Sequence, residues 1–178
     1  MEEERVSPGQ VIVFTGNGKG KTSAALGVAV RASGHGLRVY FAFFMKGDFP
    51  YGEQPALAHL PNVTVGRFGF VEFCDPHHVK PEVREEAHRA LEAARQAMLS
   101  GQYDVVVLDE VNVAASWGLV PVEAVVDVVR SKPPAVDLIL TGRYADDRVL
   151  ALADTVTEMV EVKHPYRQGV ISRKGIDY

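Results

Sequence analysis

The sequence predicts an α/β fold: a doubly wound, mostly parallel sheet with helices on both faces. Two observations predict it. Apolar runs alternate with helical patterns along the whole chain, and runs such as Val105-Val106-Val107-Leu108 lack the polar alternation of a half-exposed strand. Strands that are separated by helices and apolar on both faces belong to parallel sheets.

Each element carries its own signal. Val11-Ile12-Val13-Phe14 is a short apolar run stopped by Thr15-Gly16, and reads as the first strand. Residues 22–33, rich in small side chains and closed by Gly34, read as the first helix. A second strand over 38–45 is dense in aromatics, and a weaker third covers 63–68. The clearest helix spans 81–99. Pro81 suits its first position, Glu82, Glu85 and Glu86 complement the N-terminal dipole, and Gly101 stops it. Its apolar face is Val83, Ala87, Leu91, Ala94 and Met98, at helical spacing. Strands over 104–108, 136–140 and 155–162 alternate with helices over 121–130 and 145–153. The loops 46–62 and 69–80 and the tail 163–178 each follow a strand, and in open α/β sheets that edge binds ligands.

Composition narrows the function classes. The 178 residues carry 19 Lys plus Arg against 23 Asp plus Glu, a formal net charge of −4. At this length residues 1–178 read as a single domain that buries about 70% of its unfolded surface. One cysteine excludes an internal disulfide framework and a cysteine-based zinc cluster. No run approaches the ~20 apolar residues of a membrane span, and Met1-Glu2-Glu3-Glu4-Arg5 is too acidic for a signal peptide. The mild acidity gives no reason to expect a nucleic-acid partner. A cytoplasmic protein without membrane or nucleic-acid partners is expected.

The strongest motif is Thr15-Gly16-Asn17-Gly18-Lys19-Gly20-Lys21-Thr22, placed between the first strand and the first helix. Its glycines let successive N–H groups point at one anion. The helix N-terminus adds a dipole, Lys21 a charge, and Thr22 a hydroxyl suited to Mg²⁺. Strand, glycine loop, Gly-Lys-Thr and helix in that order identify a phosphate loop and make the fold NTPase-like, a RecA-like three-layer sandwich. One departure is visible: Thr15 stands where such loops usually begin with glycine, so the loop is a compact variant. The strand 105–108 ends in Asp109-Glu110, delivering carboxylates to the same edge, where one reaches Mg²⁺. No Asn-Lys-x-Asp guanine signature is present, which favours ATP. These residues alone do not name a reaction: hydrolysis coupled to motion, phosphoryl transfer by a small-molecule kinase, and a non-enzymatic ATP-sensing module all stay open. Arg143, in Thr141-Gly142-Arg143 after a buried strand, is a candidate for the cation that hydrolysis or phosphoryl transfer needs at the γ-phosphate.

Further blocks run in order to the end of the chain: Arg31-Ala32-Ser33-Gly34-His35-Gly36, Phe44-Met45-Lys46-Gly47, Pro50, Gly52-Glu53, Gly69-Phe70, Leu108-Asp109-Glu110, Thr141-Gly142-Arg143, Ala153-Asp154-Thr155-Val156, Val162-Lys163-His164 and Gly175-Ile176-Asp177-Tyr178. With the phosphate loop they resemble the phosphate-loop ATP:cob(I)alamin (corrinoid) adenosyltransferases from residue 12 onward. The resemblance implies transfer of the 5′-deoxyadenosyl group of ATP to Co(I) of a corrinoid, with release of triphosphate. It implies ATP reversed in the loop, a homodimer, and an electron donor such as a reduced flavin or flavoprotein. By the same resemblance Asn17, Gly18, Lys19, Gly20, Lys21, Thr22, Arg31 and Arg143 bind ATP, and Thr22 and Glu110 ligate Mg²⁺. Asp109 lies behind them, and Lys21 and Glu110 carry catalysis. Phe70 and Phe73 lie under the corrin ring, Phe70 matching an aromatic wedge whose second member is replaced here by Glu72. The N-terminus is short against some relatives, which implies either a more open site or a lid from loop 46–62 or the tail.

Other residues read as ordinary. Cys74 is a small apolar filler, and His77-His78 on an extended segment point to opposite sides. Trp117 and the valine-rich helix 121–130 read as core or dimer surface. His164 is a candidate ATP contact, and Tyr166 and Tyr178 are candidate pocket walls.

Overall fold

Side-chain alternation within the apolar runs decides the layers. In the computed structural model, which describes residues 7–47, 49–70 and 79–178, the strands are β1 (Val11–Thr15), β2 (Val39–Phe43), β3 (Val63–Arg67), β4 (Val105–Asp109), β5 (Asp137–Thr141) and β6 (Thr155–Glu158). Val11, Val13, Val106, Leu108, Leu138 and Leu140 point into one apolar layer. The intervening Val105, Val107, Ile139, Phe41 and Phe43 point into the other. Both layers need helices. The first is covered by α3 (Pro81–Leu99), α4 (Val111–Ser116), α5 (Val122–Arg130) and α6 (Asp147–Leu150), and the second by α1 (Lys21–Gly34) and α2 (Glu53–Ala58). Each buried Val, Leu or Ile side chain contributes about 1.5–3 kcal/mol relative to exposure.

The sheet order is β3-β2-β4-β5-β1-β6, with every neighbouring pair parallel. The expected fold class is therefore present, and the "mostly" can be dropped for these strands. From β1 the chain passes through α1 on one face to β2, then through α2 to β3. It returns by α3 on the opposite face to β4 and continues through β5 to β6. The connections leaving β1 and its neighbour β5 take opposite faces, which opens a crevice at their carboxyl ends.

Several expected boundaries shift. The residues expected as loop 46–62 contain α2, whose Leu57 and Gln54 are buried. The segment after Glu110, for which the sequence predicts no element, forms α4. The strands expected over 38–45 and 155–162 are shorter because Phe44-Met45 and Met159 leave the ladder: Met45 takes φ 56, and Met159 meets the phosphate loop instead. The helix expected over 145–153 narrows to Asp147–Leu150, where Asp146 caps it by accepting from Arg148 N–H. The valines at 125, 126, 128 and 129 are buried core, and Trp117 packs against them in part. No helix among the described residues is long and apolar enough to cross a membrane.

Candidate functional site

The phosphate loop is built by close backbone contact. Gly16 takes φ 93, and a Cβ there would meet the Met159 carbonyl oxygen at 2.5 Å, so only glycine fits. Gly18 N–H donates to the same oxygen at 2.6 Å, and Met159 N–H donates to Thr15 O at 2.8 Å. The chain leaving β6 thus clamps the loop. No side chain caps α1, which starts at Lys21, so its positive end faces the crevice. Lys21 is buried, and its Nζ donates to Gly16 O at 2.8 Å and Gly18 O at 2.6 Å, curled inside its own loop. Burial first, and the Arg143 charge second, pull its ammonium below the usual lysine range, against Glu110 and Asp109.

The facing wall comes from β4, β5 and β2. Phe43 on β2 pairs with Asp109 on β4, and Phe14 on β1 with Thr141 on β5, so these residues line one edge. Thr141 Oγ1 donates to Asp109 Oδ1 at 2.7 Å and accepts Glu110 N–H at 2.9 Å. Asp109 Oδ2 accepts from Lys46 Nζ at 2.7 Å. Both Asp109 oxygens are therefore engaged, with the side chain fully buried. Glu110 follows in the left-handed region, φ 67, a conformation that costs a non-glycine residue about 1–3 kcal/mol and turns its side chain out of the strand line. Its carboxylate lines the cavity without a hydrogen bond or ion pair among the described residues. Burial, then the Asp109 charge, holds it above the usual carboxylate range, opposed by Lys46, Lys21 and Arg143.

Between the walls lies a cavity of about 500 Å³. Lys19, Lys21, Lys46 and Arg143 line it, with Glu110 and Glu53 as its carboxylates besides Asp177. Arg143 also donates to Asn17 O at 3.3 Å. The tail crosses the opening: Asp177 accepts from Lys19 Nζ, and from Arg173 N–H at 2.9 Å. The Tyr178 ring meets Phe49 at 5.3 Å, and Phe49 meets Tyr51 at 4.8 Å.

Gly18, Lys19, Gly20, Lys21, Thr22, Glu110, Arg143, His164 and Tyr178 are thus brought to one cavity. Asn17 contributes its carbonyl to Arg143 rather than a cavity wall. Arg31 is exposed in the last turn of α1, ten residues and about 15 Å along the helix from Lys21, and does not line the cavity. Tyr166 is exposed and likewise outside it. Phe70 is exposed at the same sheet edge, beyond β3, where Gly69 packs against Gly47 so closely that a Cβ on Gly47 would meet Gly69 O at 2.3 Å. Phe73, with Glu72, Cys74, His77 and His78, lies outside the described residues. The sequence reading passed over Lys46 and Thr141 as working groups. A signal existed for Lys46, the first charged residue after an aromatic strand at the ligand-binding edge.

Mg²⁺ takes oxygen ligands, commonly one or two carboxylates with substrate phosphates. The donor set fits such an ion. Thr22 Oγ1 and the unengaged Glu110 carboxylate line the cavity, while among the described residues no three His, Cys, Asp or Glu side chains form a metal cage.

A family model described as ATP:corrinoid adenosyltransferase BtuR/CobO/CobP matches residues 7–178. The chain is 38% identical over 171 residues to the corrinoid adenosyltransferase of Escherichia coli K12, covering 96% of this chain and 86% of that protein. It is 38% identical over 182 residues to corrinoid adenosyltransferase CobA of Salmonella typhimurium, covering 99% and 88%. With the corrinoid adenosyltransferase of Pseudomonas aeruginosa it shares 32% identity over 178 residues, covering 100% and 88%. Phosphate loop, strand-end carboxylates and tail all fall inside the matched span, and the chain belongs to the ATP:corrinoid adenosyltransferase family.

Proposed function

We propose that this protein transfers the 5′-deoxyadenosyl group of ATP to Co(I) of a corrinoid and releases triphosphate. The observation that carries the reading is family membership over the whole described fold, cavity included. In the reaction the electron pair of Co(I) becomes a cobalt–carbon bond at C5′, the C5′–oxygen bond breaks, and triphosphate leaves with the electron pair of that broken bond. The protein then needs no side-chain nucleophile. It needs to position two substrates and stabilise a heavily charged leaving group.

The chain's own groups divide that work. The loop amides, the open end of α1, Lys19 and Lys21 bind the triphosphate, for which Lys21 must release Gly16 O and Gly18 O. Arg143 supplies positive charge from the β5 side, and Thr22 and Glu110 hold Mg²⁺, which when bound adds charge stabilisation to the leaving group. Asp109, committed to Thr141 and Lys46, acts behind them. Phe70 lies under the corrin ring at the neighbouring strand end; Phe73, assigned to the same role by the resemblance, lies outside the described residues. The electron that makes Co(I) comes from a reduced flavin or flavoprotein. The protein acts as a homodimer in this reading; the exposed apolar side chains Val160, Val162, Tyr166 and Ile171 in the segment after β6 are surface that a second copy could cover.

Incubating the protein with ATP, Mg²⁺ and chemically reduced cobalamin tests the reading. The absorption spectrum of a cobalt–carbon bond should appear with one triphosphate per turnover. ADP with a phosphorylated acceptor or orthophosphate would instead identify a kinase or NTPase.

A further inference from the structure

Lys46 is held more firmly than a substrate-binding lysine requires. Its backbone N–H donates to Phe68 O at 2.9 Å, and its carbonyl accepts from Gln54 Nε2 at 2.9 Å. Met45 before it occupies the left-handed region at φ 56, a strained turn at the end of β2 beside β4. The ammonium bonds Asp109 Oδ2 at 2.7 Å and Thr22 Oγ1 at 3.4 Å, and the side chain is 13% exposed. The Tyr51 and Phe43 rings flank it at 5.3 and 5.5 Å. Burial disfavours its charge, yet Asp109 and then Glu110 outweigh burial and keep it protonated.

Thr22 and the strand-end carboxylates are the oxygens a divalent ion would have to share. We propose that the Lys46 ammonium is the resident cation of the nucleotide-free site, occupying the space between Thr22 and Asp109 and keeping a divalent ion out until a triphosphate brings one. The inference rests on the reading of Thr22 and Glu110 as metal-binding groups.

The argument is electrostatic and steric. Asp109 and Glu110 together carry two negative charges beside a hydroxyl, a set that attracts a divalent cation. Lys46 neutralises one of them at contact distance. The ammonium, 2.7 Å from Asp109 Oδ2 and 3.4 Å from Thr22 Oγ1, also stands between these oxygens, so a Mg²⁺ ion that binds oxygens at about 2.0–2.1 Å would have to displace it to reach both. A triphosphate changes the balance by adding several negative charges. The ammonium then yields its longer contact, to Thr22, while keeping the shorter one to Asp109. It faces the phosphates from the wall opposite Lys21.

The test is Mn²⁺ binding to nucleotide-free protein, followed by electron paramagnetic resonance, with neither ATP nor corrinoid present. Lys46→Met and Lys46→Gln should each bind Mn²⁺ at least about tenfold tighter than the wild type. Lys46→Met/Asp109→Asn should fall back to the wild-type affinity, because the newly available carboxylate is that of Asp109. Lys46→Gln can still donate to Asp109, and so keeps the comparison open if the methionine variant leaves a bare buried carboxylate and fails to fold. The wild type gives an independent reading. Its Lys46 ammonium ¹⁵N resonance should be unmoved by Mg²⁺ alone and shifted by Mg²⁺ with inorganic tripolyphosphate. Unchanged Mn²⁺ affinity in a folded Lys46 variant, or a Lys46 resonance shifted by Mg²⁺ alone, would overturn the proposal. Failure of the wild type to form a cobalt–carbon bond is a separate result, and bears on the proposed function instead.

Discussion

Replacing Thr141 by valine isolates one hydroxyl on which the site's geometry depends. Thr141 and Asp109 are both fully buried, and the Thr141 hydroxyl donates to Asp109 Oδ1 at 2.7 Å while accepting Glu110 N–H at 2.9 Å. Valine keeps the volume, so no cavity is made and the loss is polar alone. A hydrogen bond to a charged group contributes about 1.5–3 kcal/mol, and an orphaned amide costs about 1 kcal/mol at the lower end, because Glu110 borders the open cavity. The sum is about 2.5–4 kcal/mol. For a chain of this length that lowers Tm by roughly 5–16 °C. Urea unfolding at pH 7 should show the midpoint fall at constant slope, since the surface exposed on unfolding is unchanged. Thr141→Ser, which keeps the hydroxyl and loses one methyl, should cost only about 1 kcal/mol. A valine variant within about 1 kcal/mol of the wild type, or a serine variant equally impaired, would refute the reasoning.

Four further outcomes are expected. Lys21→Ala removes the charge the loop wraps around and should lower kcat/KM for ATP by about 10²-fold or more in steady-state assays, while near-normal turnover would mean the loop is misassigned. Phe70→Ala should slow reactions begun from Co(II) corrinoid more than those begun from preformed Co(I); equal losses argue against a wedge. Asp177→Asn removes the carboxylate that occupies Lys19, so calorimetry should show inorganic tripolyphosphate binding a few-fold tighter, and weaker binding would give the tail a supporting role instead. Bonds from the Arg148 side chain and then its backbone N–H hold the Asp146 carboxyl at about 2, against an ordinary 3.8. Its folded value being the lower one, the stability it carries is present above pH 4 and disappears as pH falls through 2. Carbon NMR should place its midpoint there, and a midpoint at the ordinary value would show that the cap does not form in solution.

Elements whose signal is local were legible in the chain itself. The phosphate loop was, because its glycines, lysines and threonine lie within one short stretch and need no distant partner to be recognised. Helix α3 was, because nineteen residues of helical periodicity with Pro81 at its start need no tertiary support to be read. Helices α2 and α4 were not: each is six residues long, too short to stand alone, and forms only because Leu57 or Val111 and Ala114 are buried against the sheet.

The same division holds in the site. Sequence alone determined that a glycine-rich phosphate-loop motif and a pair of strand-end carboxylates share one sheet edge, since parallel strands send their carboxyl ends to the same side. Only the tertiary structure decided which carboxylate is committed. Asp109 is taken up by Thr141, 32 positions away, and by Lys46, 63 positions away, which leaves Glu110 facing the cavity. It also carried Arg31 away from the cavity and brought Asp177 to it, because a helix separates residues along its axis while a folded tail brings distant ones together. Contacts of that kind depend on sheet register and chain packing, and neither is written in the spacing of neighbouring residues.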